Sequence, residues 1–585
     1  MQPPASESAR SRPARHGPSL RTLVLIALGL GILARLVRYG LNFPLWGDEA
    51  FVAVDFLARG FVEMLEPLTY RQIVPLGYMW ATLCITLVAG LDEYALRLLP
   101  TGAGIAALWL FWRFCRRQLD VRSALLALAF LAPAYYPIRH AVECKPYSTD
   151  LLVALLLLMT ATIVLKRPLS PVGWILLAIG AALAPWCSYP SAFLLAGIVT
   201  TLAICRTRSW NNANWLAIAG IGAIALASFT WNYFCYAKPQ AAAAIGITAT
   251  QMWDESFPPI RKPWLLPLWL ITTHVGNLVA YPVGAKNGGS VLTAVLIVIG
   301  AMRLWRVNRP LMVLLLSPLP FNLVAAALEK YPYGSTVRTS MYLAPSFCLL
   351  AGVGLLAVLR RWLQPQARRR GVQVAVLSLC AIAPALIVMD AITPYKKRAN
   401  YEARRVVRAL ADEIRAEDRV LVLNALSPDG ELPFIQPWRG DGAQFIYYLS
   451  LYVEPKLRSA GAAIPPGARA LDPERGRILW GPSQRDVIRT VQTPSTPNID
   501  ALPARHRVTT WALFFGGAEF AKHYDSAAID AFVAGISNEL GPAAHTTHVL
   551  QRKRDRSGTE LNWQAIEVYR FGAAAAVESG AARGS

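Results

Sequence analysis

Residues 20–50 read LRTLVLIALGLGILARLVRYGLNFPLWGDEA, an apolar segment that ends in the adjacent carboxylates Asp48 and Glu49. Its apolar part, Leu23 to Leu41, is close to the roughly 20 residues that a helix needs to span a bilayer. The acidic pair therefore stands where the helix leaves the membrane, a place where carboxylates are costly and rarely incidental. We predict a retained first span, preceded by a basic cytoplasmic N-terminus, residues 1–19.

The composition predicts an integral membrane protein. The chain has 585 residues, of which 55% are hydrophobic and only 16% are charged, and its mean hydropathy is +0.37. A soluble domain carries charge on roughly a quarter of its residues. The net charge of +22 would suit a nucleic-acid partner, but much of the excess lies in short loops between apolar runs, as the positive-inside rule predicts. We expect no nucleic-acid partner.

The apolar runs predict a polytopic α-helical membrane protein with about 11–13 transmembrane helices in a domain at residues 20–393. Eleven runs are assigned as spans: Leu20–Leu41, Tyr94–Phe114, Ser123–Ile138, Thr149–Leu165, Val172–Trp186, Ser191–Cys205, Trp215–Tyr236, Ser290–Trp305, Leu311–Leu328, Met341–Leu359 and Val372–Ile392.

Two further apolar stretches, Val74–Leu91 and Trp264–Val283, are interrupted or flanked by proline and polar residues. If both return to the outer face as re-entrant segments, all the basic loops lie in the cytoplasm. Those loops are Arg113–Arg122, Lys166-Arg167, Arg206–Arg208, Arg303–Arg309 and Arg360–Arg370. If both stretches span instead, the total is thirteen, but the loops between Arg113 and Arg208 fall on the wrong side.

Beyond Thr393 the composition changes, and no run is long enough to span a membrane. We predict an extracytoplasmic α/β domain at residues 394–572 and a disordered tail at 573–585. Its predicted elements are a helix at Tyr401–Ala416, a strand at Arg419–Leu423, a turn at Ser427–Gly430, a helix starting at Asp441, and strands at Thr509–Phe515 and Ala565–Tyr569.

Carboxylates are the first candidates for chemistry, because glycosyl transfer needs a base to take the acceptor's proton. The outer loops 42–93 and 139–148 supply Asp48, Glu49 and Glu143. Asp48 is preferred over Glu49, since Gly47 permits a sharp turn beside it and its shorter side chain loses less entropy when fixed. An acidic turn that caps the helix Ala50–Leu57 accounts for Asp48 and Glu49 equally well.

Cations and aromatic residues on the same predicted face could bind a lipid-linked phosphate and a sugar. The candidate phosphate ligands are Lys145, Arg338 and Arg139, and the candidate substrate-lining residues are Trp46, Tyr147, Tyr331 and Tyr333. The alternative is an interfacial belt of aromatic and basic side chains that reach the lipid headgroups.

Four motifs occur in order along residues 20–360. They are Asp48-Glu49, the YALRLLP segment at Tyr94–Pro100, the RHAVECKPY segment at Arg139–Tyr147, and the YPYG segment that begins at Tyr331 and leads to Arg338 and Pro345. This series resembles the dolichyl-phosphate-mannose protein mannosyltransferase-like families of the C-type (GT-C) membrane glycosyltransferases. Lys145 and Cys144 depart from that pattern, which often has Arg and Ala there.

The resemblance implies a polyprenyl-phosphate sugar donor, transfer at the outer face of the cytoplasmic membrane, and the base at Asp48-Glu49. The leading hypothesis is an inverting glycosyltransferase whose acceptor is a cell-envelope glycan, lipid or protein. A transporter or flippase of lipid-linked glycans and a non-catalytic envelope-assembly subunit remain alternatives. No cofactor and no metal site is assigned. A divalent cation stays possible, with only Asp48, Glu49, Glu143 and Asp150 as candidate ligands.

The charge pattern predicts that residues 394–585 lie outside the cytoplasm. Alkaline phosphatase fused to the C-terminus is expected to be active, and a fluorescent protein at the same position is expected to stay dark. The reverse result would overturn the re-entrant assignment of both interrupted stretches.

Overall fold

A computed structural model describes most of the chain. The described residues are 18–57, 59–68, 72–166, 171–205, 212–244, 254–284, 288–334, 336–415, 418–423, 440–453, 477–480, 509–516, 533–534, 537–538, 541–554 and 559–571. The basic N-terminus up to residue 17, Arg167, the loop 206–208, the turn at 427–430 and the tail at 573–585 were given predictions above and lie outside these residues.

The described part of the membrane domain is helical. Its α-helices are α1 Leu20–Gly40, α2 Gly47–Ala53, α3 Leu76–Ala89, α4 Glu93–Gln118, α5 Val121–Leu131, α6 Tyr135–His140, α7 Tyr147–Lys166, α8 Pro171–Cys187, α9 Ser191–Cys205, α10 Asn212–Asn232, α11 Lys238–Ala244, α12 Leu266–His274, α13 Val291–Val307, α14 Arg309–Leu316, α15 Pro318–Ala327, α16 Ala344–Trp362, α17 Pro365–Cys380 and α18 Ile382–Ile392.

Within the described residues, seven helical segments are long and apolar enough to cross a membrane. They are Leu20–Gly40, Glu93–Gln118, Tyr147–Lys166, Asn212–Ala241, Arg309–Ala327, Arg338–Trp362 and Pro365–Ile392. Shorter apolar helices accompany them, including α3, α5, α8 and α9. The protein is a multi-pass membrane protein.

The predicted span Ser123–Ile138 is interrupted. It was predicted as a single helix, but α5 ends at Leu131 and α6 begins at Tyr135. Pro133 explains the break, because proline has no N–H to donate to a helical hydrogen bond. The short α6 then turns the chain toward the loop at 141–146.

The two interrupted stretches fold differently. Val74–Leu91 contains one helix, α3, whose 14 residues rise only about 21 Å, less than a hydrocarbon core of roughly 30 Å. Trp264–Val283 is split into α12 and a 3₁₀ turn at Asn277–Val279. Whether both return to the outer face stays a prediction.

Buried polar contacts tie the first helix to the rest of the bundle. Arg38 in α1 pairs with Asp390 in α18, with 2.5 Å between Nη1 and Oδ1, and both side chains are buried. Arg35 donates to the carbonyls of Gly31 at 2.7 Å and Ala132 at 3.2 Å. Burying such charges stabilises only when they are paired, so these contacts fix where the first and last helices meet.

The described part of the C-terminal domain includes the helices α19 Arg398–Glu413 and α20 Gly440–Tyr452 and a sheet of strands β1 Arg419–Leu423, β2 Arg477–Trp480, β3 Thr510–Gly516, β4 Ala544–Arg554 and β5 Glu560–Phe571. The described strands lie in the order β2-β1-β3-β5-β4. β1 and β3 are parallel, with Leu421 opposite Ala512, and the other pairs are antiparallel. The α/β domain predicted from the sequence is therefore present, and β1 begins and ends at the residues that the sequence predicted.

A second hydrophobic core joins this domain to the loops of the membrane domain that were predicted to lie outside. Leu45, Ala50 and Phe51 from the first of these loops are buried in one cluster with Tyr447 and Tyr448 of α20. The membrane domain has its own larger core among the spanning helices. The C-terminal domain thus shares buried surface with the loop that carries the acidic pair.

Helices α13 and α16 cross at two glycines. A Cβ at Gly354 would collide with the carbonyl oxygen of Leu296, and one at Gly300 would collide with that of Leu350. We expect Gly354→Ala to destabilise the protein by about 1–3 kcal/mol, because a backbone carbonyl cannot move aside. Thermal unfolding of the detergent-purified protein measures this.

Gly29→Ala is the matched control, since a Cβ at Gly29 has nothing within 4 Å. Equal unfolding midpoints for the two variants would show that the close crossing is not needed.

Candidate active site

Asp48 lies in the first turn of α2, directly after the extended residue Trp46 and the helix-starting Gly47. Its carboxylate pairs with the guanidinium of Arg338, which begins a 3₁₀ turn at Arg338–Leu343. The two side chains retain 19% and 18% of their accessibility, respectively. A pair formed across 290 residues of sequence thus stands at a surface that a ligand can reach.

Glu49, the neighbour of Asp48, is locked inside the protein. Arg97 of α4 holds it with a two-pronged pair, Nε to Oε1 at 2.9 Å and Nη2 to Oε2 at 2.8 Å. The backbone N–H of Cys144 also donates to Oε1 at 2.8 Å. With its side chain 2% exposed, Glu49 connects the first outer loop to the second.

Glu143 is held by two bases from its own loop. His140 Nδ1 lies 2.7 Å from Oε2, and Arg139 Nε lies 3.3 Å from Oε1. Burial alone would raise the pKa of Glu143, but His140, Arg139 and Lys396 together hold that pKa well below its usual range. Glu143 is therefore ionised at neutral pH and unsuited to act as a proton donor.

Lys145 reaches the same region from the second loop. Its Nζ donates to Oε1 of Gln72 at 2.8 Å, and the residue is buried. Burial lowers the pKa of Lys145, while the nearby Asp48 opposes that shift. The lysine predicted to bind phosphate therefore lies beside the predicted base.

Lys396, on the segment that follows the last span, was not predicted as a site residue. Its Nζ lies over the indole of Trp46, 2.6 Å from the ring centroid. Desolvation and the neighbouring Arg139 lower the pKa of Lys396, with Glu143 and Asp48 partly opposing them. A cation from the C-terminal side thus completes the cluster around Asp48.

The cluster carries an excess of positive charge. Among the described residues named so far, four cationic side chains act electrostatically on two carboxylates, Asp48 and Glu143. These cations are Arg139, Lys145, Arg338 and Lys396. Such an imbalance in a half-buried site favours binding of an anion.

The predicted aromatic residues separate into two groups. Trp46 is next to Asp48, and its buried Nε1 has no hydrogen-bond acceptor among the described residues. Tyr147 packs edge-on against His140, with 5.3 Å between ring centroids. Both lie at the cluster.

Tyr331 and Tyr333 have other direct partners. The hydroxyl of Tyr331 donates to the carbonyl of Thr339 at 3.0 Å. The hydroxyl of Tyr333 lies 3.0 Å from Nε2 of His274, the last residue of α12 in the second interrupted stretch. Among their recorded contacts, neither tyrosine bonds to Asp48, and Tyr333 instead links its loop to α12.

The C-terminal domain holds the loop that carries Asp48. The hydroxyl of Tyr448 in α20 accepts a hydrogen bond from the N–H of Leu45 at 2.9 Å. Arg404 in α19 donates to the carbonyl of Asn42 at 2.9 Å and pairs with Glu93 at 3.2 Å. The loop is therefore fixed from both sides, by α4 and by the C-terminal helices.

No three His, Cys, Asp or Glu side chains in the described part of the chain are grouped so that they could hold a metal ion. The carboxylates considered as ligands for a divalent cation are engaged separately, Glu49 by Arg97, Glu143 by Arg139 and His140, and Asp48 by Arg338.

Two further residues at the site had signals in the sequence. Arg97 was quoted only within the YALRLLP segment, yet it is a charge in the apolar part of α4, which in a membrane marks a residue with a specific partner. Lys396 begins a basic run, Lys396-Lys397-Arg398, in the domain that was predicted to lie outside the cytoplasm, where the positive-inside rule expects few cations. In each case a charge stood where the general pattern excluded it.

Comparison with known proteins places the fold. No protein-family model matches the chain, and no curated protein sequence matches it. The crystal structure of ArnT from Cupriavidus metallidurans bound to undecaprenyl phosphate superposes with a TM-score of 0.51 at 13% identity, covering 94% of this chain and 98% of that one. The apo form of ArnT gives 0.50 at 12% identity, covering 94% and 97%.

The oligosaccharyltransferase of Archaeoglobus fulgidus in its apo form gives a TM-score of 0.44 at 13% identity, covering 73% of this chain and 64% of that one. ArnT is a GT-C glycosyltransferase. The likeness to ArnT extends over nearly the whole chain, including the C-terminal domain. The protein has the GT-C membrane fold.

The pair of Glu49 and Arg97 generates a stability prediction. Glu49→Gln leaves the buried guanidinium of Arg97 without its counter-ion, so we expect a loss of roughly 3–5 kcal/mol. Asp48→Asn, at a partly exposed pair, should cost much less. The thermal unfolding midpoints of purified variants at matched detergent concentration measure both.

Glu413→Gln, an exposed change on α19, controls for the loss of one carboxylate. A midpoint for Glu49→Gln equal to that of this control would contradict a structural role for Glu49.

Proposed function

We propose that the protein transfers a sugar from a polyprenyl-phosphate donor to an acceptor in the cell envelope, with inversion at the anomeric carbon. The reaction would take place at the outer face of the cytoplasmic membrane, with the C-terminal domain in the periplasm. The observation that carries the proposal is Asp48, a reachable carboxylate surrounded by Arg338, Lys145 and Lys396. The acceptor is a glycan, a lipid or a protein.

A lipid-phosphate donor suits the charge of the cluster. The phosphodiester of such a donor is an anion, and three of the four cations, Arg139, Lys145 and Arg338, are largely buried, where charge-assisted hydrogen bonds are strong. The ArnT structure with the same fold was solved with undecaprenyl phosphate bound. Arg338 and Lys145 are the proposed phosphate ligands from the membrane domain, with Arg139 behind them.

Asp48 is favoured over its neighbour as the base. Glu49 has its oxygens engaged by Arg97 and by the N–H of Cys144, and Glu143 is held by His140 and Arg139. Asp48 keeps a fifth of its side-chain accessibility, so an acceptor hydroxyl or amine can approach it. Glu49 and Glu143 then position the two loops rather than contact the acceptor.

In the proposed step, the acceptor oxygen or nitrogen attacks the anomeric carbon from the side opposite the phosphate. Its proton passes to the carboxylate of Asp48, which acts as general base. The bond between the anomeric carbon and the phosphate oxygen breaks, and its electron pair leaves with the polyprenyl phosphate. Arg338 and Lys145 stabilise the charge that develops on the leaving phosphate.

The sugar is proposed to lie between Asp48 and the aromatic side chains Trp46 and Tyr147. The buried Nε1 of Trp46 has no acceptor in the described structure, and a sugar hydroxyl would provide one. The face of the Trp46 ring is covered by the ammonium of Lys396, so a sugar that stacked there would displace that ammonium toward the phosphate.

Asp48→Asn tests the assignment. The variant should insert and fold normally and lose transfer by a factor on the order of 10²–10⁴, the usual contribution of a general base. The measurement is single-turnover sugar transfer from labelled polyprenyl-phosphate sugars in membranes with matched protein levels, with Glu413→Gln as control.

Three results contradict the proposal in different ways. Near-wild-type transfer by Asp48→Asn together with a folded but inactive Glu49→Gln would move the base to Glu49. Activity in both variants would show that Asp48 and Glu49 only cap the helix that follows them. A wild-type envelope phenotype in cells that carry Asp48→Asn would indicate the non-catalytic assembly role.

A further inference from the structure

A cavity separate from the Asp48 cluster lies between the start of α19 and the last two strands of the sheet. Its volume is about 800 Å³. One wall is the first two turns of α19, and the other is the end of β4 with one residue of β5. The lining residues are Lys397, Arg398, Ala399, Glu402, Arg405, Val549, Leu550, Gln551, Arg552, Lys553 and Gln564.

The lining is strongly basic. It includes five cationic side chains and a single carboxylate, Glu402. That carboxylate is shared by two of the cations, Arg405 at 3.0 Å and Arg398 at 3.5 Å. The side chains of Arg398 and Arg405 remain 78% and 71% exposed, so their charge is available to a ligand. A negatively charged ligand is the chemical complement of such a cavity.

The cavity also has an apolar part. Ala399 and Leu550 are buried, and Val549 is half-buried beside them. Basic groups around a small apolar floor suit a ligand that has both an anionic group and a hydrocarbon part. Free phosphate matches only the basic groups.

The position of the cavity points to the membrane surface. The last span ends at Ile392, and Lys397 follows five residues later, which limits their separation to about 18 Å. Val388 and Ile392 at the end of that span are 56% and 73% exposed, as expected for side chains that face lipid. The headgroup layer adds roughly 5–8 Å on each side of the hydrocarbon core, so Lys397 lies within this layer or at most about 10–13 Å beyond it.

We propose that this cavity binds the headgroup of an anionic phospholipid, with its phosphodiester between α19 and the end of β4. The bound lipid holds α19 against the membrane. The opposite face of α19 carries Arg404, which bonds to Asn42 of the loop that carries Asp48. Membrane attachment and placement of the catalytic loop therefore meet on one helix.

Two neighbouring lysines, Lys396 and Lys397, belong to different sites. Lys396 points to the ring of Trp46 in the Asp48 cluster, whereas Lys397 lines the basic cavity. Substitution of Lys397 therefore tests the lipid site without removing a residue of the proposed active site.

The test uses the purified full chain in non-ionic detergent. Phosphatidylglycerol and phosphatidylcholine with the same fluorescent acyl chain are titrated in parallel. We expect phosphatidylglycerol to bind more tightly, and Lys397→Gln combined with Arg552→Gln to weaken that binding roughly 30-fold, because each surface cation contributes about fivefold. Arg261→Gln combined with Lys262→Gln removes two exposed cations elsewhere and should change binding less than threefold.

Glu402→Gln should strengthen lipid binding, an effect that impaired folding cannot produce. It removes the one carboxylate of the cavity lining, so phosphatidylglycerol should bind more tightly. Unaltered thermal midpoints confirm that all the variants fold.

Three outcomes overturn the proposal. Equal binding of the two lipids shows that the headgroup charge is not recognised. Equal weakening by the cavity pair and by the control pair shows a general effect of surface charge. Displacement of phosphatidylglycerol by an equal concentration of inorganic phosphate assigns the cavity to a free anion instead.

Discussion

The pair of Glu49 and Arg97 is the contact on which the arrangement of the site depends. Its two short bonds fasten the first outer loop to α4, and the bond from Cys144 to the same carboxylate adds the second loop. A buried pair is costly unless every charge is satisfied, and here the carbonyl of Phe43 also accepts from Arg97 at 2.5 Å. Glu49 thereby leaves Asp48 at the surface of the same turn, beside Arg338.

The sequence predicted the parts of the fold that depend on local pattern. The first helix, the strand at Arg419–Leu423 and the helix through Tyr447 and Tyr448 lie where apolar length and residue type placed them. The break after Leu131 was missed because the apolar run continues beyond Pro133, and a helix buried on all sides shows no polar stripe that changes at a kink. A break inside a buried helix can thus be caused by a single residue, and the apolar pattern around that residue does not reveal it.

Within the candidate site, the topology derived from the basic loops indicated that the loops at Asp48, Glu143 and Arg338 share a face, and the structure brings these three side chains together. The pairings were not predictable. Which of two adjacent carboxylates takes Arg97 and which takes Arg338 depends on the direction of the first turn of α2, and sequence spacing does not specify it. The position of Lys396 depends on the path of the chain after the last span, and no sequence motif specifies that path.

The contacts between the first loop and the C-terminal helices limit how such proteins can evolve. Asn42 and Leu45 of the first loop are bonded by Arg404 and Tyr448, respectively, so the loop and the C-terminal helices are held together although 362 and 403 residues separate the bonded partners. An exchange of the C-terminal domain between related proteins would break these contacts. Substitutions in the loop are therefore expected to occur together with substitutions in α19 and α20. The composition of the chain changes at residue 393, but the parts on either side of it do not evolve independently.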